Sequence, residues 1–159
     1  TGGAAANGVA AIRYSVEAQD IANSGWNYTS TSSYVTLSFW VKSSVAQNFY
    51  GYLLTLDGTM QRYAFETGAL SANTWTKVTK TISGNSNITI NNDNGEGFRI
   101  EWRPFTGTDE SDSGVSLNTW GAFASGTRTP DYGSANDDWY LTNDATLGLP
   151  AICNSCKRR

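Results

Sequence analysis

The chemistry available to this chain lies first in its aromatic rings. Trp40, Tyr50, Tyr52 and Tyr63 fall on segments that read as strands or hairpins. Trp26, Tyr132 and Trp139 stand in or beside polar loops, with Asn27, Arg128, Asp131 and Asp138 adjacent. Sugars lay their apolar C–H faces on aromatic planes while amides, acids and guanidinium groups take the hydroxyls, a case of an apolar platform with a few placed polar groups. These seven rings are the candidate glycan-binding residues. Taken singly, each reads first as a plug at a sandwich end or as part of a subunit contact. Taken together, they predict at least one exposed aromatic patch that serves a partner.

A second cluster is built of oxygens. Asn92, Asp93, Asn94 and Glu96 lie in a run that also holds Asn91 and Gly95, and they are candidate Ca2+ ligands. Hard cations take grouped oxygen ligands on a tight turn. The run lacks the twelve-residue spacing of an EF-hand, and its plain reading is a turn whose side chains bond their own backbone. The Asn136-Asp137-Asp138 cluster has the same two readings.

Catalysis finds less support. The chain has no His, which excludes Ser/His/Asp and Cys/His mechanisms. A glycosidase needs only two carboxylates, and Glu66, Glu101, Asp109, Glu110, Asp112, Asp137 and Asp138 are candidates by type. Most lie in Gly- and Ser-rich loops, and none stands in the apolar setting that raises a carboxyl pKa. The expectation is a protein that is not an enzyme. Cys153 and Cys156 form a Cys-x-x-Cys followed only by Lys157-Arg158-Arg159. A structural zinc site would need two more soft ligands, so the pair reads as a free or locally disulfide-linked tail. Asn27-Tyr28-Thr29 and Asn87-Ile88-Thr89 have the form of glycosylation sequons, a pattern that arises readily in an Asn- and Thr-rich chain.

The bulk composition bounds the partners. Among 159 residues, 13% are aromatic and 16% charged, with sixteen Gly; an average soluble domain carries roughly 25% charge. A formal net charge of −3 offers no broad basic face to nucleic acid or anionic lipid. No apolar run reaches the roughly 18 to 20 residues of a membrane span. The chain opens at Thr1 rather than Met, which reads as a processed or an incomplete N-terminus.

Rings on strands need sheets to hold them. From Tyr34 to Lys42, Val35, Leu37, Phe39 and Val41 alternate with Thr36, Ser38 and Trp40, a period of two that sets one face to the core. Segments 49–56 and 59–65 form a predicted hairpin around Asp57-Gly58. Segment 74–82 reads as a further strand, as does 98–103, which Pro104 ends. Segments 12–16 and 139–142 are shorter strands. Residues 17–22 and 116–123 read as single helical turns, the second capped by Ser116. Connections rich in Gly, Ser, Asn and Asp lie at 83–97, 106–116 and 125–138. The product is one all-β domain over residues 1–152, a jelly-roll β-sandwich of two antiparallel sheets with one concave face, and a basic tail over 153–159.

Several stretches together resemble one family. Glu17-Ala-Gln-Asp-Ile21, Tyr34-Val-Thr-Leu-Ser-Phe-Trp-Val-Lys-Ser-Ser44, Asn73-Thr-Trp-Thr-Lys77, Asp93-Asn-Gly-Glu-Gly97 and Leu117-Asn-Thr-Trp120 follow in order. They are similar to the C-terminal modules of tail-fibre and other structural proteins of marine and aquatic bacteriophages, which resemble carbohydrate-binding jelly rolls. The likeness runs from about residue 12 to 146. It departs at Thr1-Gly-Gly, and again at Ala145–Arg159, where Pro150 stands in place of the family's closing strand. The resemblance implies a non-catalytic virion appendage domain, displayed on the virion surface or otherwise extracellular. Its partners would be host-surface polysaccharide and other virion subunits, in a homo-oligomer such as a trimer or symmetric array. The alternatives are a capsid or filament decoration with no ligand, and a carbohydrate-binding module of a secreted bacterial protein. Neither nucleic acid nor membrane is an expected partner.

Overall fold

A computed structural model of the chain describes residues 5–110, 115–123, 139–141 and 146–148. In these residues the chain runs through β1 (Val9–Glu17), α1 (Ala18–Ala22), β2 (Tyr34–Ser43), β3 (Tyr50–Thr55), β4 (Gln61–Glu66) and β5 (Thr76–Ser83). It continues through β6 (Glu96–Thr106), a 3-10 turn at Thr108–Glu110, β7 (Trp120–Ala122), β8 (Trp139–Leu141) and β9 (Thr146–Gly148). Five strands form one sheet in the order β1-β6-β3-β4-β7. The other holds β5-β2-β8, with β9 pairing β2 beside β8. Every strand pairing is antiparallel. The protein is an all-β sandwich.

The core sits between the sheets because alternation delivers apolar side chains there from both sides. Val35, Leu37, Phe39 and Val41 of β2 are buried, as are Phe98, Ile100 and Trp102 of β6. Phe39 packs edge-on to Trp102 with ring centroids 5.5 Å apart, and lies 6.0 Å from Phe65. Each such side chain contributes about 1.5–3 kcal/mol through burial. Gly51 of β3 is in register with Phe65 on the neighbouring β4; a Cβ there would come within 2.6 Å of both the Glu101 carbonyl oxygen and the Phe65 ring. The Asp57-Gly58 turn joins β3 to β4 with Gly58 at φ 60°, a conformation glycine adopts without steric cost.

Two expectations need correction. Pro104 does not end its strand: β6 runs on to Thr106. At Pro104 the register with β3 has already stopped at Tyr50↔Arg103, and the β1 register skips between Ala10 and Ile12. No ladder partner there requires an N–H from proline. The stretch 116–123 is not a helical turn. Asn118 takes φ 58°, Leu117 bridges Ala64, and β7 adds to the free edge of β4 through Tyr63↔Trp120 and Arg62↔Gly121. Backbone pairing with an open edge outweighs a weak capping signal. The expected turn at 17–22 is present as α1, which hydrogen-bonds through Ala18 N and Gln19 N to the carbonyls of Gly95 and Asp93. The connection 125–138 and the tail 153–159, with Cys153 and Cys156, lie outside the described residues.

Candidate functional site

The outer face of the β5-β2 pair carries three exposed rings, while a fourth, Tyr14, lies on β1 of the other sheet. On β2 the alternation that buries Val35 to Val41 turns Tyr34, Thr36, Ser38, Trp40 and Lys42 outward. In register across from them on β5 stand Ser83, Thr81, Thr79 and Lys77, opposite Tyr34, Thr36, Ser38 and Trp40. Trp40 is 40% exposed, Trp75 44% and Tyr34 51%. Trp75 immediately precedes β5, and the Lys42 ammonium lies 5.6 Å from its ring centroid. Diagonal neighbours on one face of a sheet stand about 7–8 Å apart, which places Trp40 and Trp75 side by side. From Tyr34 to Trp40 the face extends roughly 20 Å at strand rise, and the hydroxyls of Thr36, Ser38, Thr79 and Thr81 fill the interval. No acid occurs within β2 or β5. Lys42 and Lys77 add two ammonium groups to the part of this face that β2 and β5 form.

The other outer face is polar but closed. Tyr52, Glu101 and Arg103 are 3%, 1% and 1% exposed. Arg103 Nη2 donates to the Tyr52 hydroxyl at 2.9 Å, and its guanidinium lies 5.4 Å from the centre of that ring. Arg103 Nη2 also stands 2.5 Å from Glu101 Oε1, an ion pair outside hydrogen-bond angles, and Arg13 reaches Glu101 Oε2 at 3.1 Å. Burial pushes the Tyr52 phenol above its ordinary pKa, with Arg103 pulling the other way. Arg103 Nε and Nη1 have no hydrogen-bond partner.

The seven candidate rings do not come together. Trp40 is on an open face as expected. Tyr50 and Tyr52 belong to the opposite sheet, Tyr50 half-buried in register with Arg103 and Glu66, Tyr52 covered. Tyr63 points the other way from Tyr52 and is core, 5.4 Å from Trp120. Trp26 is also core, packed on Phe98 at 5.6 Å. Trp139 begins β8 in register with Ser43, and Tyr132 lies outside the described residues. Alternation separates Tyr52 from Tyr63, and membership of different sheets separates both from Trp40. Trp75 and Tyr34 were missed. Part of the signal for Trp75 was present, since it shares the outward parity of Lys77 in segment 74–82; the pairing of that strand with β2 was not.

Three of the four candidate ligands in the oxygen-rich loop make local hydrogen bonds. Asp93 Oδ1 accepts from Gly95 N at 2.9 Å, and Asn92 Oδ1 accepts from Asn23 Nδ2 at 3.1 Å. Glu96 binds Arg99 Nε at 2.9 Å and Nη2 at 2.5 Å and also accepts from Ser15 Oγ. The hydrogen bond from Arg99 holds the Glu96 carboxyl below the usual carboxylate range. A cation at Glu96 would have to displace Arg99. Among the described residues no group of three or more Asp, Glu, His or Cys side chains is placed to hold a metal. Of the other acids, Glu66 accepts from Asn48 Nδ2 at 2.6 Å, while Asp112, Asp137 and Asp138 lie outside the described residues. No helix of the described residues is long and apolar enough to cross a membrane.

No protein family, curated protein or solved structure matches the chain.

Proposed function

We propose that the protein is a non-catalytic carbohydrate-binding domain, of jelly-roll type, whose ligand is a surface polysaccharide laid along the outer face of β2 and β5. The observation that carries this reading is the pair of exposed indoles, Trp40 and Trp75, set among hydroxyls on a rigid strand pair. Exposed tryptophans side by side on a flat sheet cost solubility unless a partner covers them, and stacked sugar rings fit such a surface. The exposed Lys77, in register with Trp40, favours an acidic polysaccharide over a neutral one, with salt-sensitive binding. The resemblance to phage appendage modules supports a place on a virion surface, where several copies turn weak contacts into avidity. A single face is expected to bind with Kd of about 0.1–1 mM.

A binding panel of acidic and neutral bacterial polysaccharides tests this. Trp40→Ala and Trp75→Ala should each weaken binding at least tenfold with thermal stability unchanged, because both side chains are exposed. Unaltered binding by both variants would overturn the reading.

A second reading, assembly without a ligand, rests on β1. That strand sits at a sheet edge, with Val9 and Ile12 each 40% and Tyr14 56% exposed. Light scattering of the purified chain separates the two: an oligomer that dissociates on Ile12→Lys while polysaccharide binding is absent favours assembly.

A further inference from the structure

We infer that a groove at the β7 edge of the sandwich is a second carbohydrate subsite, one that takes a neutral hexose or N-acetylhexose unit. This inference rests on the glycan-binding reading above but concerns a different surface. The groove has a volume of about 460 Å³ and is lined by Thr59, Gln61, Asn87, Thr89 and Trp120, with the Gly121 backbone beside them. It lies near Ser83, at the end of β5 far from Trp75. Its size is within the range of small-molecule sites, about 300–1,000 Å³.

The lining decides the ligand class. Amides, hydroxyls, one indole and the Ala122 methyl form it, and no charged side chain of the described residues does. An anionic sugar would lose water there without a counter-charge, whereas neutral hydroxyls exchange water for equivalent partners. The wall is also fixed in advance. Trp120 Nε1 donates to the Ser83 carbonyl at 2.7 Å, and the indole is stacked on Phe98 at 8° and packed on Tyr63. Thr89 bridges Asp57, and Asp57 accepts from Asn91 N at 2.8 Å and Nδ2 at 3.0 Å. A Cβ on Gly58 would meet Thr89 at 2.9 Å, so the β3-β4 turn and the connection carrying Asn87 are locked together. Asn85 Oδ1 holds the Asn87 N–H at 2.8 Å. A groove already ordered before binding loses little entropy when a sugar enters.

The test uses the full chain, made in bacteria so that the Asn87 sequon stays unmodified, and follows amide and indole resonances by NMR. The probes are D-galactose, N-acetyl-D-glucosamine and D-glucuronate. Saturable shifts of the Trp120 indole N–H and the Asn87 and Gln61 side-chain amides are expected with a neutral probe at millimolar concentration, and not with glucuronate. Asn87→Lys, at an exposed position, should cost at least tenfold in that affinity without moving the melting temperature. Trp40→Ala should leave it unchanged. Absence of groove shifts with both neutral probes overturns the subsite even where Trp40 still mediates polysaccharide binding. Equal response to glucuronate overturns the ligand class. Groove binding that persists when no polysaccharide binds the Trp40 face sustains the subsite and sinks the main reading instead.

Discussion

Arg103 is a charge held where water does not reach, 1% exposed beside an equally buried Glu101. Such pairs add little net stability, because desolvation opposes the attraction, but removing one partner strands the other. Arg103→Met should therefore destabilise by about 3–5 kcal/mol, on the order of a 10 °C fall in melting temperature for a chain of this size. Adding Glu101→Gln should recover much of that loss, since Arg13 is 53% exposed and can turn to solvent. Calorimetry on the two variants checks this, and a double variant no better than the single would refute the coupling. Glu96 makes a prediction in pH. Its carboxyl is held below its ordinary 4.5 chiefly by Arg99. A group whose pKa is lower folded than unfolded adds stability that is complete above the unfolded value and vanishes as pH falls through the folded one. Stability should decline on acidification below about pH 4.5, and Glu96→Gln should flatten that decline in urea titrations across the acidic range.

At the scale of the element, β5 shows how an exposed sheet edge is kept from recruiting another chain. It pairs only with β2 among the described strands, and edges of that kind template aggregation. Lys80 is in register with the fully buried Leu37, so it lies on the inward face of the strand and is half-buried. An inward charge at an edge must reach water, and a second strand docking there would cover it. Lys80→Val should raise heat-induced aggregation severalfold in light scattering while leaving the monomer folded. Equal scattering would show that the edge is protected by something else. The same element-level logic explains Pro104, which sits in β6 at a place where neither neighbour calls for its missing N–H.

The whole molecule is assembled from distant pairings. β1 is joined to β6 from Val9↔Thr106 to Glu17↔Glu96, and β9 reaches back to β2 at Leu37↔Leu147. Topologies of this sort fold in milliseconds to seconds, because long loops close before contacts reward them. Both sheets contribute to one core, in which Phe39 of β2 meets Phe65 and Trp102 of the facing sheet. Neither sheet can bury its apolar face alone. Urea unfolding followed by tryptophan fluorescence and by far-ultraviolet circular dichroism should give coincident transitions; separated midpoints would divide the sandwich into independent units.

The strand segments, their inward faces and the β3-β4 hairpin were legible in the residues, because a period of two and a turn with glycine are local properties of the chain. Val35 to Val41 declare a buried face without reference to anything else. Which strands neighbour one another is not local. Tyr52 and Tyr63 are equivalent as sequence, yet one faces Arg103 and the other the core, since the hairpin register sends them to opposite sides of the sheet. Trp40 gained Trp75, not Tyr52, as its neighbour because β2 pairs with β5 and not with β3. The groove beside Trp120 likewise exists only where β7 takes the open edge of β4, a pairing no short stretch of sequence encodes. Local alternation chose the inside and outside of each strand, and long-range hydrogen bonding between strand edges chose which outsides became one surface.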